Sequence, residues 1–90
     1  MFENLEHLIK TIRERKNSTL NTSYTKKLLD DKNLGVSKVK EEIDELIEAV
    51  DKNTNKIHEA ADVIYHLVVY LEANNVKIED VMDELKKRQK

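Results

Sequence analysis

Residues 38–50 read KVKEEIDELIEAV and residues 58–71 read HEAADVIYHLVVYL, and the folding of these two stretches decides the fold of the chain. The first carries Glu41, Glu42, Glu45 and Glu48, and the second carries Glu59 and Asp62. Glu42 and Glu45 are spaced i, i+3, as are Glu59 and Asp62, so on a helix each pair shares one face, a turn apart. Only Asp51 to Lys56 separates the two stretches, which favours an antiparallel helical hairpin whose acidic faces converge. Four converging carboxylates repel one another unless a cation lies between them. Hard oxygen donors in that number suit magnesium or manganese.

The second stretch is the more informative. From Ile57 to Leu71 the only formally charged residues are Glu59 and Asp62. At ~100° per residue the main apolar stripe is Ile57, Ala60, Ile64, Leu67, Val68 and Leu71. Val63, Val69 and Tyr70 fall outside it, on the side of Glu59, Asp62 and His66. A helix apolar nearly all round is buried on more than one side, and carboxylates there are costly unless paired or bound to metal. Glu41, Glu42 and Glu45 by themselves are less telling, because an acidic face in so charged a chain is commonly just solvated.

Composition narrows the classes. Charged residues make up 38% and aromatics 4%, with one glycine and no proline, which suits an all-α protein with charged outer faces. Ninety residues form one domain, 1–90, with a core small enough that oligomerisation is a common remedy. A net charge of −2 without a dense basic cluster argues against nucleic acid as a partner. Cysteine is absent, so disulfides and thiolate metal sites are excluded. No apolar run reaches the ~18 residues of a membrane span, and MFENLEHLIK lacks the order of a signal peptide. The expectation is a soluble, cytoplasmic chain with no membrane partner.

Outward from the hairpin, Leu5, Leu8, Ile9 and Ile12 predict a helix over 3–16, ending in Arg13, Arg15 and Lys16, cations that offset the helix dipole. Residues 17–23, NSTLNTS, read as a loop in which Thr22 or Ser23 caps a short helix, YTKKLLDD, with Tyr24, Leu28 and Leu29 facing inward. Asp31 to Gly35 are expected to break it, Gly35 taking a left-handed turn position. Ser37 then caps the third helix, unless Val36 already lies in its first turn, and Val39, Ile43, Leu46, Ile47 and Val50 form its core stripe. Asn53, Thr54 or Asn55 caps the fourth helix, which Asn74 and Asn75 end near Ala73. A last helix over 78–88 buries Ile78, Val81, Met82 and Leu85.

Taken together, the motifs resemble the all-α nucleoside triphosphate pyrophosphohydrolases of the MazG type, which carry EExxE and then ExxD. Here these are Glu41-Glu42-Ile43-Asp44-Glu45 and Glu59-Ala60-Ala61-Asp62, with thirteen residues between Glu45 and Glu59. Within that superfamily the chain is similar to phosphoribosyl-ATP pyrophosphohydrolase of histidine biosynthesis. The similarity is carried by Ile12-Arg13-Glu14-Arg15-Lys16, Ser23-Tyr24-Thr25-Lys26-Lys27-Leu28, Lys38-Val39-Lys40-Glu41-Glu42, Tyr65-His66-Leu67, Glu79-Asp80-Val81 and Arg88. The acidic motifs specify only the superfamily, whereas SYT and YHL point to this enzyme. Three features depart from the family pattern. Lys40 stands where a glycine is usual, Ile43 stands where a small residue is usual, and the loop before SYT lacks a proline.

The resemblance implies a MazG-like bundle of four to five helices completed by homodimerisation. It also implies magnesium-dependent hydrolysis of phosphoribosyl-ATP to phosphoribosyl-AMP and pyrophosphate. On that reading Glu42, Glu45, Glu59 and Asp62 ligate magnesium, or manganese in its place. Glu41 takes the proton of the attacking water, with Glu45 its rival. Arg15, Lys16, Lys27 and Lys38 are candidates for phosphate contacts or plain surface charges. Tyr24 stacks on a base or fills the core, and His66 supports a ligand carboxylate or is an ordinary satisfied histidine. Lys40 and Ile43 keep open a relative acting on other nucleotides, and a non-catalytic dimerisation module is the alternative from a different class. His58, Asp62 and His66, at i, i+4 and i+8, are also spaced as a transition-metal stripe.

Overall fold

The computed structural model describes residues 1–19 and 22–89. Five helices follow one another: α1 Glu3–Lys16, α2 Tyr24–Asp30, α3 Lys32–Lys52, α4 Lys56–Ala73 and α5 Ile78–Arg88, with no strand among the described residues. The all-α architecture and the antiparallel α3–α4 hairpin are as the sequence predicts. The loop expected over 17–23 includes Leu20 and Asn21, which lie outside the described residues.

Capping fixes the element ends. Ser23 Oγ accepts the Lys26 N–H at 3.2 Å and starts α2. Asp31 Oδ1 accepts the Leu34 N–H at 3.1 Å and starts α3 six residues before Ser37, the expected cap. A carboxylate at the cap satisfies an orphan amide and also meets the positive end of the dipole, so Asp31 prevails over a serine further on. Gly35 consequently lies inside α3, with no positive φ at any glycine, and breaks nothing. It is buried where α3 crosses Tyr70 and the end of α2. The left-handed positions belong to asparagines instead: Asn53 and Asn55 in the hairpin turn and Asn75 after α4. Asparagine tolerates that region better than other residues with a Cβ.

The core is built by α1, α2 and α4. Ile12, Leu28, Leu29, Val68 and Val69 are buried together, with Leu5, Leu8, Ile9, Leu34, Tyr65 and Ala73 packed around them. The expected facing of α4 holds at Val68, which is buried, and fails along most of its large-residue stripe. The side that holds Tyr65, Val68 and Val69 turns inward, whereas Ile57 is 88% exposed and Ile64 and Leu67 are open to solvent. The predicted stripe of α3 fares likewise, with Ile47 63% exposed and Ile43 and Val50 uncovered. The reason is geometric. A helix apolar all round can present only part of its circumference to α1, α2 and α3, and the rest is left without cover in one chain. The last helix, α5, has no fully buried residue, and Met82 and Leu85 are about half exposed, against expectation. An open groove lined by Phe2, Leu5, Ile9, Ile78 and Met82 separates it from α1. The Arg13 guanidinium bridges that groove with two bonds to Glu79, at 2.6 and 2.8 Å, and holds the Glu79 carboxyl down at about 2.

Candidate metal centre

The hairpin brings the carboxylates together. The two long helices pack on each other more extensively than any other pair, which faces Glu42 and Glu45 of α3 toward Glu59 of α4. One oxygen from each of the three lies within 4.8 Å of the others. Glu42 is only 6% exposed, and Glu45 and Glu59 are half-buried. Glu42 Oε2 and Glu59 Oε2 are shielded from solvent and have no hydrogen-bond partner among the described residues. A buried ionised oxygen without a partner is strongly unfavourable, and two such oxygens in one cluster suit a bound cation.

The electrostatics agree. Burial pushes the Glu45 carboxyl up, and the neighbouring Glu42 carboxylate adds to it. Burial also raises Glu59, helped by the charge of Glu45. Among the described residues, the ammonium that reaches this side of α3 is that of Lys38, whose Nζ lies 2.7 Å from Glu41 and 3.6 Å from Glu42. One cation among so many carboxylates leaves the cluster under-compensated. A hard divalent ion fits this donor set of ionised oxygens. Asp62 stands a turn further along α4, grouped with Glu59 and His58 and not with Glu42 and Glu45.

The start of α2 docks on α4 beside the cluster. His66 Nδ1 is 2.8 Å from the Asp62 carbonyl oxygen, which can only accept, so Nδ1 carries the proton. In the neutral ring Nε2 then accepts the Tyr24 hydroxyl proton at 2.9 Å. His66 thus steadies the backbone at Asp62 and does not touch its carboxylate. With both nitrogens engaged, the stripe of His58, Asp62 and His66 does not form. Tyr24 is 46% exposed and not the core residue that one reading expected. Its ring is stacked on Tyr65, with centroids 6.4 Å apart. Thr25 Oγ1 bonds the Tyr65 hydroxyl. Thr25 and Tyr65 belong to the SYT and YHL motifs but are not among the candidate site residues of the sequence. The two motifs meet in the fold, Tyr24 with His66 and Thr25 with Tyr65.

The remaining candidates are scattered. Lys16 Nζ is held by the Glu72 carbonyl at 2.7 Å and Asn75 Oδ1 at 2.8 Å. Glu72 is ten residues beyond Asp62 on α4, about 15 Å along the helix axis. Arg15 stands on the last turn of α1 and Lys27 on the exposed side of α2, neither of them in the carboxylate cluster.

Fold and site together define a class: an all-helical domain whose central hairpin holds a carboxylate cluster fitted to a divalent ion. The family model described as phosphoribosyl-ATP pyrophosphohydrolase matches residues 5–89. A phosphoribosyl-ATP pyrophosphatase of Clostridium novyi is 46% identical, covering 96% of this chain and 81% of that protein. One from Caulobacter sp. (strain K31) is 38% identical, covering 99% and 85%. The histidine biosynthesis trifunctional protein of Kluyveromyces lactis is 43% identical over 89% of this chain, which corresponds to 10% of that longer protein. The chain belongs to the phosphoribosyl-ATP pyrophosphohydrolase family.

Proposed function

We propose that this chain hydrolyses phosphoribosyl-ATP to phosphoribosyl-AMP and pyrophosphate, with magnesium at Glu42, Glu45 and Glu59 and with Asp62 completing the set. The observation that carries the reading is Glu42, buried in the hairpin of a family member with an unpartnered oxygen in a carboxylate cluster. Magnesium held there supplies the positive charge that a triphosphate and a departing pyrophosphate need. The chain supplies the rest. Lys38, at the rim between Glu41 and Glu42, offers an ammonium to a phosphate oxygen. Glu41, exposed beside the cluster, takes the proton of the attacking water. The exposed ring of Tyr24, stacked on Tyr65, offers the base a flat surface at the same end of the hairpin.

The working unit in this reading is a homodimer. The uncovered stripes on α3 and α4, from Ile43, Ile47 and Val50 and from Ile57, Ile64 and Leu67, are apolar surface that a second copy would bury. No helix among the described residues is long and apolar enough to cross a membrane. The test is pyrophosphate release from phosphoribosyl-ATP, with ATP, dUTP and dCTP alongside, in magnesium and in EDTA. Magnesium-dependent release from phosphoribosyl-ATP alone is expected. Equal or faster release from a simple nucleotide would contradict the substrate assignment.

A further inference from the structure

The start of α2 is held against α4 by two hydrogen bonds. The Tyr24 hydroxyl donates to His66 Nε2 at 2.9 Å, and Thr25 Oγ1 shares a hydrogen bond with the Tyr65 hydroxyl. With only seven residues, α2 is too short to keep a fixed place by itself. Leu28 and Leu29 anchor its far end in the core. Lys26 Nζ, 3.3 Å from the Lys16 carbonyl oxygen, ties its first turn to α1. Tyr65 also backs the Tyr24 ring, the two planes lying 20° apart with centroids separated by 6.4 Å. His66 meets the same ring edge-on, at 72°. Tyr65 covers one face and His66 the hydroxyl end, so the exposure of Tyr24 belongs to the side turned away from Tyr65. The ring lies at the rim of the carboxylate cluster: burial raises its hydroxyl above the ordinary tyrosine value, and the charges of Lys38, Glu42 and Glu41 reach it.

We infer that Tyr65 and Thr25 are positioning residues: they fix the Tyr24 ring so that its open face stands beside the carboxylate cluster to receive the base of the nucleotide. The inference rests on the reading of Tyr24 as the base contact and deepens it. A phenol ring on a short helix turns about its own side-chain bonds and moves with the helix. His66 fixes the tip of this ring. Thr25 fixes the backbone one residue on, and the Tyr65 ring closes the face that a base does not use. Stacking on a preset ring loses less side-chain entropy than stacking on a mobile one. That difference appears in substrate binding and not in the chemical step. The Tyr65 hydroxyl thereby acts on the substrate through Tyr24, without touching it.

The experiment is steady-state pyrophosphate release by the full chain at saturating magnesium, with each variant first shown to be folded by circular dichroism. Tyr65→Phe, which keeps the ring and removes the hydroxyl, should raise KM for phosphoribosyl-ATP by roughly threefold to tenfold and leave kcat within about twofold. Thr25→Val should match it, and Thr25→Ser, which keeps the hydroxyl, should return KM to near the wild-type value. Tyr24→Leu should raise KM by about tenfold or more. In that background Tyr65→Phe should add nothing, because the ring it positions is gone. An unchanged KM in Tyr65→Phe, whatever its melting temperature, would overturn the inference and reduce the pair to a packing contact. So would an equal KM rise for Tyr65→Phe with and without the Tyr24 ring. The same series on ATP keeps the inference apart from the substrate assignment. Preferred hydrolysis of ATP, with the Tyr65-dependent KM intact, would remove phosphoribosyl-ATP as the substrate and leave the positioning role standing.

Discussion

Glu45 and Glu59 both have carboxyl groups raised above the ordinary glutamate value, chiefly through burial. Between the ordinary glutamate value and the raised one, the folded state binds more protons than the unfolded state. Stability associated with these groups is therefore full below the ordinary value and is lost as pH rises through the raised one. Glu59→Gln removes one of the repelling charges. In EDTA it should melt higher than the wild type near pH 7, and the difference should disappear toward pH 4. Saturating magnesium should abolish or reverse the pH 7 difference. A melting difference that does not depend on pH would contradict this account. The acidic residues were legible in the sequence because Glu59 and Asp62 stand alone among apolar neighbours. The division of Asp62 from Glu42 and Glu45 was not legible, because i, i+3 spacing fixes the face of one helix but not how far two helices slide past each other.

At the level of the helices, the start of α3 is the instructive case. Glycine in a helix interior costs up to ~1 kcal/mol relative to alanine, which makes a break at Gly35 the natural expectation. Asp31 overrides it by capping the Leu34 amide, and α3 runs straight through Gly35. A Cβ added at Gly35 would meet Tyr70 Cδ1 at 3.6 Å and the Leu28 carbonyl oxygen at 3.8 Å, both ordinary contacts. Gly35→Ala should therefore stabilise the chain by about 0.5–1 kcal/mol, read as a raised denaturant midpoint with an unchanged slope. A lowered midpoint would mean that the crossing of α3 over α2 and Tyr70 has no room for a methyl group. The docking of α2 on α4 through Tyr24–His66 and Thr25–Tyr65 was readable as two separate motifs. Their contact was not, because it depends on the approach of helices 40 or more residues apart in sequence.

For the molecule as a whole, the sequence made the all-α class and the hairpin plain but misassigned which sides of α3 and α4 a single chain covers. A helix apolar all round gives no periodicity from which to choose. The stripes left open hold Ile43, Ile47, Ile57 and Ile64, and a dimer that buries them would sediment at twice the 10.6 kDa chain mass. Ile47→Asp, at an exposed position, should leave the helices intact by circular dichroism and shift the protein to monomer. An unchanged dimer would place the interface elsewhere. The buried carboxylates of the hairpin are proposed as the metal centre of a phosphoribosyl-ATP pyrophosphohydrolase. The most direct test is pyrophosphate release from phosphoribosyl-ATP at saturating magnesium by wild type and by Glu42→Gln shown to be folded. Loss of a buried ligand should lower the rate by roughly a hundredfold or more, with no loss of thermal stability in EDTA. A Glu42→Gln rate within a few-fold of wild type would contradict the account.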